Sequence, residues 1–283
     1  MIERRPILDF IGHVVLLIGV MIVAFPLYIA FVASTQTSDQ AQMAPISLIP
    51  GDQMVANFTK VLVSGTTSHV AVGSVGRMMW VSLVCALSIA IGKITISMLS
   101  AFALVYFRFR GRAVFFWMIF LTLMLPVEVR ITPTYKVVSD LHMLNTFAGL
   151  TIPLIASATA TFLFRQFFLT VPEELAEAAR IDGAGPIRFF KDVIWPLSRT
   201  NVLALFVIMF IYGWNQYLWP LLISTDQSMY PLGIGIKRLI AGGDAAIEWN
   251  MVMATVILTI LPPGLVVMLM QRWFIKGLFD SEK

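Results

Sequence analysis

Three charged side chains stand at positions where a membrane segment usually carries apolar ones. Lys93 lies in the middle of a long apolar run, and Glu128 and Arg130 follow Pro126 at the end of another. An ionisable group inside a membrane is costly and is typical of a functional position. Lys93 is expected either to offset the charge of an anionic solute or to meet a carbonyl or carboxylate at an interface with a second subunit. Because Glu128 would repel an anion, we expect it to pair with Arg130 or Lys93.

A group of neutral polar side chains, Asn215, Gln216 and Tyr217, lies between Gly213 and Pro220 in a later apolar run. Amides and aromatic rings suit recognition of a polyol, and glycine and proline can open a membrane helix where it lines a cavity. The same pattern is also typical of an aromatic belt with an amide bond between helices. We take these three residues, together with Lys93 and the charged pair above, as candidates for a substrate pathway.

Catalysis and metal binding have no comparable support in the sequence. The histidines at 13, 69 and 142 lie in different segments, so they form neither a metal-ligand spacing nor a nucleophile–base pair. A Gly-x-x-x-x-Gly-Lys-Ser/Thr loop for nucleotide phosphates is absent, since Gly92-Lys93 is followed by Ile94. We therefore predict that the chain is no enzyme, binds no metal or cofactor, and leaves any ATP to another protein.

The composition is that of a membrane protein. Charged residues make up only 13% of the 283 positions and hydrophobic residues 58%, whereas soluble domains carry about 25% charged residues. The single cysteine, Cys85, excludes a disulfide within the chain. The net charge of +4 comes from basic residues between apolar runs, where orientation in the bilayer explains them better than nucleic-acid binding.

Six apolar stretches are long enough to cross a bilayer, which takes about 20 residues. The first is longer than the apolar core of a signal peptide, so we expect it to be retained. Thirteen Lys and Arg residues fall on the side of the N-terminus and six on the other, which predicts cytoplasmic termini. The predicted fold is an all-α membrane protein, one domain over residues 1–283, with spans at about 11–33, 79–105, 113–129, 147–168, 201–223 and 251–271.

A charged loop, residues 170–197, separates the fourth and fifth predicted spans. Thr170 and Glu173 have the spacing of a capping box and predict the start of a helix. Gly183 is placed to end this helix in the left-handed conformation. A second, interfacial helix is predicted over about 187–194, and Pro196 is expected to end it before the fifth span.

The spacing within the charged loop resembles the EAA signature of permeases in ATP-binding cassette importers. Glu177-Ala178-Ala179 is followed after three residues by Gly183, and after nine more by Val193-Ile194-Trp195-Pro196. Trp195 departs from the leucine that the family often has there. Four further stretches extend the resemblance to the carbohydrate-uptake branch over nearly the whole chain: "SAFALVYFRFRGR", "MLPVEVRITPTY", "ATFLFRQFFLTVPEELAEAARIDGA" and "FIYGWNQYLWPLL".

This resemblance implies an importer-permease fold whose cytoplasmic coupling helix fits a cleft on an ATPase subunit. It implies a heterodimer with a second permease, a dimer of ATPase subunits that use ATP and Mg, an extracytoplasmic substrate-binding protein and a place in the bacterial cytoplasmic membrane, surrounded by lipid. The likeness is greatest to permeases for sn-glycerol-3-phosphate, which implies that cargo and its phosphodiesters. The residues that match the family's ATPase-coupling positions are Glu177, Ala178, Ala179, Asp182, Gly183 and Pro196.

Three other functions stay open on the sequence alone. The same machinery could carry a neutral sugar or polyol. An ion-driven secondary carrier would need a titratable relay in the spans, for which Lys93 and Glu128 are a thin basis. A membrane scaffold without a transport role is the third alternative.

Overall fold

The computed structural model describes residues 6–64, 73–122, 125, 127–240 and 247–279. Within these residues the chain is helical. The α-helices are α1 (Pro6–Ser34), α2 (Ser38–Gln42), α3 (Met54–Val63), α4 (Val75–Tyr106), α5 (Arg112–Leu121), α6 (Val127–Asp140), α7 (Phe147–Thr151), α8 (Ala158–Thr170), α9 (Glu173–Ile181), α10 (Pro186–Phe189), α11 (Trp195–Trp214), α12 (Leu218–Ile223), α13 (Leu232–Ile240) and α14 (Trp249–Phe279). Short 3-10 turns occur at Ile152–Leu154 and Gln227–Met229, and a π-helical turn at Phe190–Ile194.

The described residues form two compact units. The first comprises Met1–Arg77 and Gly235–Leu261, and the second Met78–Ile234 and Pro262–Lys283. In the first unit, most apolar side chains of α1 are exposed, as expected of a helix that faces lipid. The C-terminal end of α1 is instead held by polar bonds: the buried Asn57 donates from Nδ2 to the carbonyls of Ser34 and Gln36, both at 2.9 Å.

The second unit is organised around α4. Its core consists of apolar side chains from α4, α6, α7 and α12, namely Val81, Cys85, Ile89, Val138, Leu150, Trp219 and Ile223. Trp219 is fixed there by its indole Nε1, which donates to the carbonyl of Gly149 at 3.0 Å. Asn145 ties the segment after α6 to the one after α12, since its Oδ1 accepts from the backbone N–H of Thr225 at 2.7 Å. These bonds position the helices that carry the candidate site.

Four described helices are long and apolar enough to cross a membrane: Phe10–Ser34, Val75–Tyr106, Pro186–Ile223 and Trp249–Arg272. They coincide with the first, second, fifth and sixth predicted spans. The fourth predicted span is a bent pair, Phe147–Leu154 and Ala158–Thr170, with 47° between its halves. The bend arises because the chain leaves the α-helix in a 3-10 turn that contains Pro153.

The third predicted span, 113–129, has no single long helix. It overlaps α5, which has ten residues, and the start of α6, while residues 123, 124 and 126 between them lie outside the described part. Ten residues of α-helix reach about 15 Å, half of a hydrocarbon core of about 30 Å. The described helices account for four crossings, or five if the bent pair is one span, and the sixth crossing stays a prediction.

Candidate functional site

The second unit contains a cavity of about 680 Å³, which we call the basic cavity. Its walls come from α4, α5, α6, α8, α11 and α12. Among the residues that the structure describes, its charged lining consists of Lys93 from α4 and Arg130 from α6, with no aspartate or glutamate. The sequence places these two residues far apart, and the fold brings both to one space, as expected of residues on a shared pathway.

Lys93 is held in place by an aromatic ring. Its side chain is buried, with 7% of the residue exposed, and its Nζ lies 3.6 Å from the centre of the Tyr212 ring on α11. A cation over the face of a tyrosine is attracted by the electron density of the ring, and the attraction is stronger where water is excluded. The ion pairs among the described residues are Lys60–Glu248, Lys136–Asp140 and Arg188–Asp192, so Lys93 and Arg130 take part in none of them.

Gln216 completes this wall of the basic cavity. It follows the end of α11, and its Nε2 donates to the carbonyl of Tyr212 at 3.1 Å, which leaves Oε1 able to accept a hydrogen bond. Of the three neutral candidates predicted in this segment, Gln216 lines the cavity, whereas Asn215 and Tyr217 are not among its lining residues. The α-helix is interrupted at residues 215–217, after α11 ends at Trp214 and before α12 begins, and therefore between Gly213 and Pro220.

The break in the fourth predicted span brings hydroxyl groups to the opposite wall. Ser157 caps α8 by accepting from the N–H of Ala160 at 3.3 Å, and its carbonyl accepts from Oγ of Ser97 on α4 at 3.1 Å. Gly92 allows this approach, because a Cβ there would lie 2.6 Å from Cγ2 of Ile155. Ser157 and Tyr212 were not predicted from the sequence. The available signal for Ser157 was the proline at 153, which marks the break before it, and the signal for Tyr212 was its spacing of four residues from Gln216.

The expected ion pair of Glu128 cannot be placed, because its side chain lies outside the described part of the structure. Its backbone belongs to the first turn of α6. Arg130, two residues later, is exposed and lines the basic cavity. The pairing of Glu128 with Arg130 or Lys93 therefore stays a prediction.

The charged loop carries the predicted coupling residues on a short helix with a rigid end. Gly183 has φ +70° and ends α9 in the left-handed conformation, as predicted. The N–H of Gly183 donates to the carbonyl of Arg180 at 3.0 Å, and that of Ala184 to the carbonyl of Ala179 at 2.8 Å, which is the bonding of a Schellman motif. Glu177, Ala178 and Asp182 are exposed, and Ala179 is half-buried.

Large apolar side chains flank Gly183 and are left uncovered by the residues that the structure describes. Ile181 is 87% exposed and Ile187 is 84% exposed, on the two sides of the turn. Exposed apolar side chains grouped in this way, next to charged ones, are typical of a surface that binds another protein. The turn at Gly183 therefore presents exposed apolar side chains next to charged ones in a fixed backbone conformation.

Two details of the charged loop differ from prediction. Thr170 belongs to α8 and its hydroxyl donates backwards to the carbonyl of Phe167, so it forms no capping box, and Pro172 precedes α9 without a side-chain cap. Pro196 ends no helix: it lies in the first turn of α11, directly after the π-helical turn. A proline is tolerated in a first turn, where its missing N–H is not needed. The segment from Pro186 to Ile223 is accordingly one long apolar helical stretch.

Comparison with known proteins identifies the family. The family model described as binding-protein-dependent transport system inner membrane component matches residues 93–280. Curated relatives named sn-glycerol-3-phosphate transport system permease protein UgpE are 60% identical in Brucella melitensis, 61% in Agrobacterium fabrum and 57% in Escherichia coli O1:K1, each over 100% of both chains.

A solved bacterial ABC transporter involved in the import of the acidic polysaccharide alginate contains a chain with the same fold. The TM-score is 0.76 at 22% identity, and the match covers 95% of this chain and 96% of that one. This confirms the predicted importer-permease fold, and the family confirms a transport subunit rather than an enzyme. The chain belongs to the family of binding-protein-dependent transport system inner membrane components.

Proposed function

We propose that this chain is one permease subunit of an ATP-binding cassette importer that moves sn-glycerol-3-phosphate across the bacterial cytoplasmic membrane. The observation that carries this proposal is the identity of 57–61% over the full length to relatives named as permeases for that solute. Glycerophosphodiesters share the glycerol phosphate group and are included in the proposed cargo. The importer works by alternating access, driven by ATP that other subunits hydrolyse.

The proposed partners are a second permease, a pair of ATPase subunits and an extracytoplasmic binding protein. The charged loop supports the ATPase contact, because it exposes Ile181 and Ile187 beside a turn whose conformation is fixed by Gly183. Glu177 would make a polar contact there, and the small Ala178 would allow close approach. ATP and Mg are used on the ATPase subunits, and this chain binds no cofactor of its own.

The orientation follows from the same contact. An ATPase that uses cellular ATP lies in the cytoplasm, so the charged loop must face that side. The thirteen basic residues that share a side with the loop in the six-span arrangement agree with this, because short cytoplasmic loops carry the excess of Lys and Arg. Both termini then lie in the cytoplasm.

The basic cavity is the proposed passage for the cargo through this subunit. Lys93 on α4, Arg130 on α6 and Gln216 in the segment between α11 and α12 line it. Asn215 follows the last residue of α11, Tyr217 precedes α12, and the backbone of Glu128 lies in the first turn of α6; all three are included in the proposal as residues along the approach to the cavity.

The test is ATP hydrolysis and uptake by the complete complex in vesicles, with sn-glycerol-3-phosphate or maltose supplied through the binding protein. Stimulation by glycerol phosphate and uptake of it are expected. If maltose alone stimulates ATP hydrolysis, the chain is still an importer subunit, but its cargo is a neutral sugar. Uptake that continues without ATP and stops when the ion gradient is removed would indicate a secondary carrier instead.

The role of the charged loop is tested by Gly183→Val, with Gly183→Asn as its matched control. A Cβ at this position meets no atom of this chain within 4 Å, so the cost inside the subunit is the left-handed conformation itself. That cost is about 1–2 kcal/mol for ordinary residues and less for asparagine. We expect the valine variant to lower uptake about 5- to 30-fold, and the asparagine variant to retain most of it. Equal uptake in all three proteins would contradict the docking role.

A further inference from the structure

The described residues that line the basic cavity carry positive charge and no negative charge. Lys93 and Arg130 line it, and no aspartate or glutamate does so among the residues that the structure describes. Lys93 lies near the middle of α4, the 32-residue helix proposed to cross the membrane. The buried charge of Lys93 is costly there, and an oppositely charged ligand offsets part of that cost when it binds.

We infer that Lys93 and Arg130 together bind the phosphate group of the solute inside this subunit, so that the basic cavity selects an anionic cargo over a neutral one. The inference rests on the proposed function, because it assigns a phosphate ester to the passage proposed there. The inference adds to the proposed function a binding site in this subunit and names the phosphate as the group that binds there.

The two cations are suited to a phosphate in different ways. Arg130 presents a planar guanidinium, whose parallel N–H groups match two oxygens of a phosphate. Lys93 supplies a compact charge with three donors, and the Tyr212 ring at 3.6 Å limits where that charge can lie. Because the two residues come from α4 and α6, a phosphate bound by both would also bridge these helices.

Neutral groups in the same cavity suit the rest of a glycerol phosphate. Oε1 of Gln216 can accept from a hydroxyl group of the solute, since its Nε2 is used by the carbonyl of Tyr212. Oγ1 of Thr134 donates to the carbonyl of Arg130 at 2.7 Å, which leaves its lone pair as another acceptor. A neutral polyol would use these acceptors and bring no negative charge to either cation.

The first experiment removes each charge in the complete complex. Lys93→Met and Arg130→Gln are each expected to lower uptake of sn-glycerol-3-phosphate about 10- to 100-fold at saturating loaded binding protein, as for the loss of a charge-assisted hydrogen bond. Lys93→Arg retains the charge and should retain part of the uptake. Lys136→Gln is the matched control: Lys136 lies on α6, pairs with Asp140 at 3.0 Å and does not line the cavity, so normal uptake is expected.

The second experiment measures the charge of the cavity directly. Cys85, the only cysteine of the chain, is replaced by alanine, and the exposed cavity residue Thr159 by cysteine. A negatively charged methanethiosulfonate should label this cysteine faster, relative to a free thiol, than a positively charged one. sn-Glycerol-3-phosphate or inorganic phosphate should slow the labelling and glycerol should not. The preference should disappear when Lys93 and Arg130 are both neutralised.

The outcomes separate this inference from the proposed function. If the unaltered complex takes up no glycerol phosphate, the proposed cargo is wrong, whereas labelling with inorganic phosphate still reports on the site. A second outcome is normal uptake while the cysteine at position 159 shows no preference for the negatively charged reagent, no protection by phosphate, or no labelling at all. Any of these three results would show that the proposed phosphate site is wrong. A third outcome is that the variants with Lys93 or Arg130 neutralised no longer associate with the other subunits, while the protein with both charges intact shows no preference for the anionic reagent. That outcome would indicate that Lys93 and Arg130 form ion pairs with the partner permease, and it would overturn the inference.

A phosphate in a lipid headgroup carries the same chemistry, and the vesicle composition distinguishes it. In vesicles of phosphatidylcholine alone, protection by the soluble phosphate ester is expected. Protection that requires phosphatidylglycerol and does not change with the soluble ester would assign the site to a lipid and overturn the selection of cargo.

Discussion

Gly213 shows how single residues determine the walls of the candidate site. It lies in the last turn of α11, and a Cβ there would lie 2.8 Å from Cα of Ala86 and 3.2 Å from its carbonyl oxygen on α4. The contact atoms belong to the backbone of another helix, so they cannot move aside as a flexible side chain would. The glycine therefore allows α11, which carries Tyr212, to pack closely against α4, which carries Lys93.

We expect Gly213→Ala to destabilise the second unit, although alanine is the better helix former. Overpacking of a close contact costs about 1–3 kcal/mol, and here it would separate the two helices that hold Lys93 and Tyr212. The matched control is Gly264→Ala on α14, where a Cβ meets no atom within 4 Å. Thermal unfolding of the detergent-solubilised protein should show a lower midpoint for the first variant alone. Equal midpoints would contradict the close packing.

At the scale of elements, an aromatic cluster joins the charged loop to α4. Phe102 packs against Phe189 and Phe190 of the loop, with ring centres 6.1 Å and 5.1 Å away. Tyr106 packs against Phe189 at 5.1 Å, and its hydroxyl donates to the carbonyl of Phe168 at 3.2 Å. Lys93 lies nine residues before Phe102 on the same helix, or about 14 Å away along the axis. A displacement of the loop would therefore reach the basic cavity through one rigid helix.

We expect Phe102→Ala to reduce the amount of solute transported per ATP hydrolysed, because it removes the ring that contacts both loop residues. Phe115→Ala is the control: its ring packs against Phe109, 5.9 Å away, which lies in the segment before α5 and not in the charged loop. Uptake and ATP hydrolysis are measured on the same vesicles, and their ratio is compared. An unchanged ratio in the Phe102 variant, at normal recovery of the complex, would exclude this route of coupling.

The elements also show what the sequence could predict. The end of α9 at Gly183 was predictable, because a local left-handed turn depends on one glycine. A helix start was also predictable, since α9 begins at Glu173, but its capping by Thr170 was wrong, because α8 continues to Thr170 and uses its hydroxyl. The bend in the fourth predicted span lies within an apolar run, where Pro153 was the available signal of it. In the site, Lys93 and Arg130 stood out by charge, but Tyr212 did not, since its role arises only where α11 meets α4.

At the scale of the whole molecule, the number of crossings decides on which side the charged loop lies. With six spans, 113–129 crosses the membrane, and the charged loop shares a side with the N-terminus. If that segment did not cross, the chain would span five times, the termini would lie on opposite sides, and the charged loop would lie outside the cell. An ATPase could not then reach it. The short α5 makes this segment the one that needs an independent test.

We expect alkaline phosphatase fused after Asp140 to be active, because the six-span arrangement places α6 on the outer side and the enzyme folds only there. The controls are fusions after Ser64, predicted outside, and after Arg110, predicted inside, and a fluorescent protein at the C-terminus, predicted to fluoresce in the cytoplasm. The basic residues at 108, 110 and 112, just before and at the start of α5, favour this result, since they hold that end of the segment in the cytoplasm. An inactive enzyme after Asp140, together with a dark C-terminal fusion, would establish five crossings and contradict the proposed ATPase contact at Gly183.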